Sequence, residues 1–197
     1  MSSALPSAGP GRRERNKLAK LERITAAASE LFAEHGVDEV TTQQIAERAD
    51  IGTGTLFLYA KTKSELLLLV QNAHYAEALE RGRAAAADAA TVLDAVLALV
   101  SPIVACNRAH VGNGRVYLRE MVFGDPAEPH HAEARSIVGR SEEAIAGILE
   151  RGGVPAAATV AGVVSAVVFV TLAASDEPDV AAILPAIRAQ LAAVLPA

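Results

Sequence analysis

Between Val40 and Leu67 the chain gathers side chains suited to gripping a ligand rather than breaking a bond: Thr41, Thr42, Gln43, Gln44, Thr53, Thr55, Phe57, Tyr59 and Lys63. Hydroxyls, amides, a phenol and an ammonium at this density suit hydrogen bonding to phosphates and base edges. Nothing beside them suggests covalent chemistry. There is no phosphate-binding glycine loop, no metal-ligand spacing, and no Ser, His or Cys in a nucleophile setting. No catalytic residue, metal or cofactor is therefore expected. Cys106 is alone, so an intrachain disulfide is impossible, which fits a reducing compartment. The pair His130-His131 does not restore a metal reading, because adjacent helical residues do not face each other and no Cys lies nearby. The pair reads as a loop.

Helices must position these groups. Hydrophobic residues make up 51% of the 197 and charged residues 21%, enough for a packed core and against global disorder. Ala, the best helix former, is abundant, and Gly and Pro fall mainly between periodic segments. An all-α fold of about nine helices is expected. The first helix is predicted from about Arg15 to His35, with Ile24, Ala28, Leu31 and Phe32 as its apolar stripe and Gly36 as a left-handed stop. A second starts near Thr41 or Thr42, whose hydroxyl caps it, and turns Ile45, Ala46 and Ala49 inward. Asp50 to Gly52 is a turn. A third helix covers about Thr53 to Tyr59, and a fourth begins near Thr62 or Lys63. A short helix, a glycine-marked turn and a second short helix make a helix-turn-helix.

The formal charge of −5 hides an asymmetry. Residues 1–63 hold nine Lys/Arg against eight Asp/Glu, or +1, whereas the remainder holds nine against fifteen, or −6. Arg12, Arg13, Arg15, Lys17, Lys20 and Arg23 cluster near the start, where phosphate attraction needs them. Residues 1–14 read as a flexible basic arm and lack the apolar core of a secretion signal. Residues 15–62 read as the DNA-binding domain and 63–197 as a helical ligand-binding and dimerisation domain.

In that second part, Ala90 to Arg108 is predicted to be helical and bent at Pro102, Val111 to Gly114 a loop, and Arg115 to Phe123 a short helix. Ala132 to Glu150, Ala156 to Ala174 and Asp179 to Leu195 complete the set, with a kink at Pro185. The uncharged run from Gly152 to Ser175 is long enough to cross a bilayer. Its small residues Ala158, Ala161, Gly162, Ser165 and Ala166, and the acidic residues that follow, favour a helix buried between subunits.

The run from Arg23 to Leu67 resembles the DNA-binding domain of the tetracycline-repressor (TetR) family of bacterial transcription regulators. The matching pieces are Arg23-Ile24, Ala27-Ala28, Leu31-Phe32, His35-Gly36, Thr41-Thr42, Ile45-Ala46, Ala49, Thr55-Leu56-Phe57, Tyr59, Lys63, Glu65 and Leu66. The resemblance implies a cytoplasmic homodimer that docks two heads on a palindromic double-stranded DNA operator. It also implies repression relieved by a small apolar or amphipathic effector. Thr42, Tyr59 and Lys63 are expected to meet phosphates, and Gln43, Thr53, Gly54, Thr55 and Phe57 to meet bases. Tyr117, Met121, His74 and Asn107 are candidate pocket residues. Gly162, Ser165, Ala166, Phe169, Ile187 and Leu191, on the last two helices, are candidates for the dimer interface. The chain departs from the family at Phe57, where Tyr is usual, at Ala60 (a bulky aromatic), at Asp50 (Gly) and at Gly52 (a capping Ser). A membrane-tethered regulator and an all-helical enzyme are the alternatives.

Overall fold

The computed structural model describes residues 11–195, and these form an all-α molecule of nine helices without strands. Residues 1–10 of the expected arm lie outside the described part. The helices are α1 (Arg12–His35), α2 (Thr42–Arg48), α3 (Thr53–Leu56), α4 (Lys63–Ala86), α5 (Val92–Arg108), α6 (Val111–Phe123), α7 (Pro129–Arg151), α8 (Ala157–Ala174) and α9 (Val180–Ala192).

The head is built on α1 to α3. Its core holds Ile24, Ala28, Phe32, Ile45, Ala46, Leu56 and Ala60, the stripe that 3.6-residue spacing marks. Local signals set its boundaries. The Thr41 hydroxyl accepts the Gln44 amide at 3.2 Å while the Gln44 side chain accepts the Thr41 amide at 2.7 Å, a reciprocal cap that opens α2. Thr62 likewise accepts the Glu65 amide and opens α4. Gly36 ends α1 at φ 79°, a backbone region that favours glycine, and its amide bonds Phe32 O.

Asp50 explains one departure from the family pattern. It sits at φ 52°, in the left-handed region where glycine is cheapest and Asp is among the better-tolerated replacements. Arg23 Nη1 steadies the turn from α1, 3.3 Å from both the Asp50 carbonyl and its carboxylate. Ala60, in place of an aromatic, is buried in the head core.

The body has its own core, drawn from α4, α5, α6, α7, α8 and α9, with Leu79, Val96, Leu99, Leu149, Val164 and Ile187 among its members. The two cores are not separated at residue 62. Leu66, Leu67 and Val70 of α4, and Val116 of α6, belong to the head core, while Leu79 further along α4 belongs to the body.

Three expectations are corrected here. Helix α1 opens at Arg12 rather than about Arg15, so the basic residues from Arg12 onward lie on a helix. Val111 to Gly114 is the first turn of α6, not a loop. His110 caps it through the Asn113 amide, and α5 turns into α6 through 111°. Gly114 is there for proximity, since a Cβ would lie 2.3 Å from the Asn107 carbonyl. Thirdly, α7 begins at Pro129, so His130 and His131 stand on its first turn. Proline at a helix start needs no hydrogen-bonded N–H, and that is how the break before it becomes a beginning. Helices α5 and α9 run through Pro102 and Pro185.

Candidate DNA-binding face and ligand cavity

The two short helices of the head present one polar surface. Gln43 and Gly54 are exposed, and Thr42, Thr53 and Thr55 are half-buried. A Cβ on Gly54 would meet nothing, so packing within the chain gives no reason for glycine there. Phe57 is 45% exposed and Leu58 83%, unusual positions for large apolar groups on a head otherwise well packed. The regular helix stops at Leu56, and Phe57 to Tyr59 continue it as turns, with Tyr59 N bonded to Leu56 O.

Several of these polar groups hold intrachain partners. Gln43 Nε2 donates to Glu47 at 2.9 Å, one turn along α2. Lys63 Nζ donates to the Asp38 carbonyl at 3.0 Å, which places its charge beside the loop before α2. The Tyr59 hydroxyl donates to Lys17 O at a long 3.4 Å, tying the turn after α3 to α1. Such exposed single bonds exchange readily for a phosphate, because each contributes only about 1 kcal/mol net. Arg13, Lys17 and Lys20 flank Thr55, Leu58 and Tyr59 around one shallow cleft, so α1 brings positive charge alongside α3 and the turns after it.

In the body, a cavity of ≈ 100 Å³ lies between α4, α5, α6, α7 and α8. Tyr75, Ile103, Tyr117, Met121, Ile137 and Phe169 are among its walls, with the hydroxyls of Ser141 and Ser165 and no charged residue. Tyr75 and Tyr117 stack with ring centroids 4.2 Å apart. Burial raises both phenol pKa values well above the ordinary range, so neither ionises near neutral pH. The Tyr75 hydroxyl accepts from Asn107 Nδ2 at 2.8 Å, and Tyr117 donates to Asn72 Oδ1 at 2.9 Å. Arg108, also buried, donates to Asn107 Oδ1 and to Leu172 O near the end of α8. Desolvation lowers its pKa.

Tyr117 and Met121 thus share the cavity wall. Asn107 stands behind it, holding Tyr75. His74 lies elsewhere, in a cleft between α1 and α4 with Phe32, Arg81 and His110. Sequence reasoning counts Tyr75 among the large or polar residues of the body without choosing it for the pocket, and misses Asn72. The signal was present, since Asn72 and Tyr75 are three apart and share a helix face, but nothing in the sequence says that this face meets α6.

The expected interface residues divide. Ala166 is exposed and Gly162 half-buried, whereas Ser165 and Phe169 turn toward the cavity. Ile187 and Leu191 are a correction. Both are fully buried within the chain, on the stripe Ile183, Ile187, Leu191 and Leu195 that seats α9 on the body core, so neither reaches a partner. The open face of α8 is instead Thr159, Val163, Ala166 and Val170, at helical spacing. By length and composition α8 is the one described helix able to span a membrane by itself.

Two further contacts join head to body besides α4. Asn113 of α6 is buried and bidentate: its Oδ1 accepts the Val37 amide and its Nδ2 donates to Phe32 O, each at 2.7 Å. From α7, His130 Nε2 lies 3.1 Å from the Tyr59 carbonyl, and Lys61 pairs with Glu128. His131 is buried against Glu120 at 3.3 Å. Burial opposes ionisation of Glu120, but hydrogen bonds from His131 and Arg119 hold its carboxyl below the usual range. Among the described residues no group of three metal-ligating side chains occurs.

A polar two-helix face, flanked by the basic residues of α1, sits on a small head fused to a helical body with an apolar cavity. Residues 24–70 match the model of the bacterial regulatory proteins of the tetR family. The whole fold agrees. A TetR transcriptional regulator from Rhodococcus sp. RHA1 aligns at TM-score 0.62 and 19% identity, over 92% of this chain and 100% of that one. The FadR repressor of Thermus thermophilus, in complex with lauroyl-CoA, aligns at TM-score 0.66 and 24% identity, over 90% and 96%. FadR of Bacillus subtilis, in complex with stearoyl-CoA, aligns at TM-score 0.66 and 17% identity, over 89% and 99%. No curated protein matches the chain by sequence.

Proposed function

We propose that the chain is a cytoplasmic transcriptional repressor that binds a palindromic operator as a homodimer and is released by an effector with a long aliphatic part. The observation that carries this reading is the uncharged, apolar cavity whose wall includes α4, the helix that also enters the head core. A site without charge receives hydrocarbon, and any charged part of the effector stays at its mouth. The acyl-CoA complexes of the two FadR proteins support the same ligand class.

The unliganded space is far below the roughly 300–1,000 Å³ of ordinary ligand pockets. Entry of an acyl chain therefore pushes the walls apart, and an effector that favours the widened state shifts the population toward it. On DNA, two heads roughly 34–36 Å apart meet successive major grooves. Thr42, Tyr59 and Lys63 take phosphates, and Gln43, Thr53, Gly54, Thr55 and Phe57 take base edges and sugars. The open face of α8, with Gly162 beside it, packs against its partner's copy.

Mobility shift of an operator obtained by selection from random duplexes tests the reading. Binding that saturates as two heads per palindrome, and that weakens on adding lauroyl-CoA, is expected. A folded dimer that selects no sequence at low salt refutes it.

A further inference from the structure

We infer that Tyr117, Asn72 and His130 form a hydrogen-bonded linkage that runs from α6 across Asn72 of α4 to α7 and reports the state of the cavity to the end of the Thr53–Tyr59 segment, in addition to the covalent route along α4. This rests on the regulator reading and supplies it with a named route. Each link is a hydrogen bond between fixed groups. Tyr117, on the cavity wall, donates to Asn72 Oδ1 at 2.9 Å. Asn72 Nδ2 donates to the His130 carbonyl at 3.0 Å on the first turn of α7, with Glu133 at 3.4 Å as a second acceptor. The His130 ring, through Nε2, holds the Tyr59 carbonyl at 3.1 Å. Since a carbonyl only accepts, Nε2 must carry the proton there. Tyr59 closes the Thr53–Tyr59 segment and borders the basic cleft.

Three features make this more than local packing. Tyr117 and Asn72 are both almost wholly buried, so the bond between them cannot be exchanged for water without exposing them. Tyr117 is fixed on its other side by the Tyr75 ring, so a ligand that widens the cavity displaces the stacked pair together. Asn72 spends both ends of its amide within this route, its oxygen on α6 and its nitrogen on α7, so displacement of Tyr117 pulls on both. Lys61 and Glu128 pair at the same joint as His130, and that pair holds the loop after Tyr59 against α7.

Amide hydrogen exchange on the full-length dimer, without DNA or effector, tests the linkage in Tyr117→Phe, His130→Ala and the double variant. His130→Ala removes one bond and is expected to raise exchange over residues 53–61 about fivefold, the equivalent of about 1 kcal/mol. Tyr117→Phe keeps the ring and its stack, yet is expected to raise exchange in the same segment. In the His130→Ala background it is expected to add nothing there. His130→Gln, which keeps a donor at a similar reach, is expected to restore protection. Unchanged exchange over 53–61 in Tyr117→Phe, or full additivity in the double variant, overturns the linkage. Neither result depends on DNA or effector. An intact linkage together with an operator complex indifferent to lauroyl-CoA would count against the effector class alone.

Discussion

The head and the body are both helical, but they are packed to different ends. In the head, Ile24, Phe32, Ile45 and Leu56 are fully buried, and the buried polar side chains at its edge, Glu65 and Asn113, are spent on backbone groups. In the body, the cavity leaves a void beside Met121 and Tyr117, and three buried polar side chains, Asn72, Asn107 and Arg108, run behind its walls. A filled apolar core resists change in shape, whereas a void bordered by hydrogen-bonded groups allows two arrangements. The head is the more rigid of the two regions and the body the more deformable.

The largest expected effect is on the head. Phe32→Ala should cost ~3–5 kcal/mol, whereas Met121→Ala, already beside empty space, should cost about 2 kcal/mol or less. Equal losses in thermal denaturation would erase the distinction between filled and yielding cores. Gly36→Ala comes next. It forces a side chain into φ 79° and sets a Cβ 2.7 Å from the His110 ring, at a cost of about 1–3 kcal/mol. Denaturant titration measures it, and a neutral result would show that the α1–α6 joint has slack.

On the reading surface, Gln43→Ala is expected to lose about 1–3 kcal/mol of discrimination at a single base position. Lys63→Ala should weaken all sequences alike and lower the salt slope of binding by about 1. Competition binding at several salt concentrations separates the two roles. The smallest effect is chemical. Burial pushes the Cys106 thiol, in the body, up to about 11, against 9.0 unperturbed. The neutral thiol thus favours the fold at low pH, and that contribution fades as pH rises from 9 toward 11. Alkylation at pH 8 should be slow in the native protein and fast in denaturant, and rapid native labelling would mean that the body opens more readily than its packing implies.

The difference between the regions also governs what could be read beforehand. The head is written in local code: the Gly36 stop, the Ile24–Phe32 stripe and a threonine cap at Thr41 or Thr42 each act within a few residues, so spacing revealed them, although the reciprocal Gln44 half of the Thr41 cap was not foreseen. The body is decided by which helices meet. Nothing local distinguishes His130 as the first turn of a helix once Pro129 is taken for a break, or tells Ile187 facing its own core from Ile187 facing a partner. Tyr117 and Met121 were legible because they lie one turn apart. That Tyr75, on another helix, stacks on Tyr117 was not.

Helix α4 lends Leu66, Leu67 and Val70 to one core and Leu79 to the other. Cutting the chain after residue 62 would strip the head of part of its own interior, so the fragment should not hold its shape in isolation. Heat or urea should likewise melt both halves together, because neither can lose this shared rod and survive.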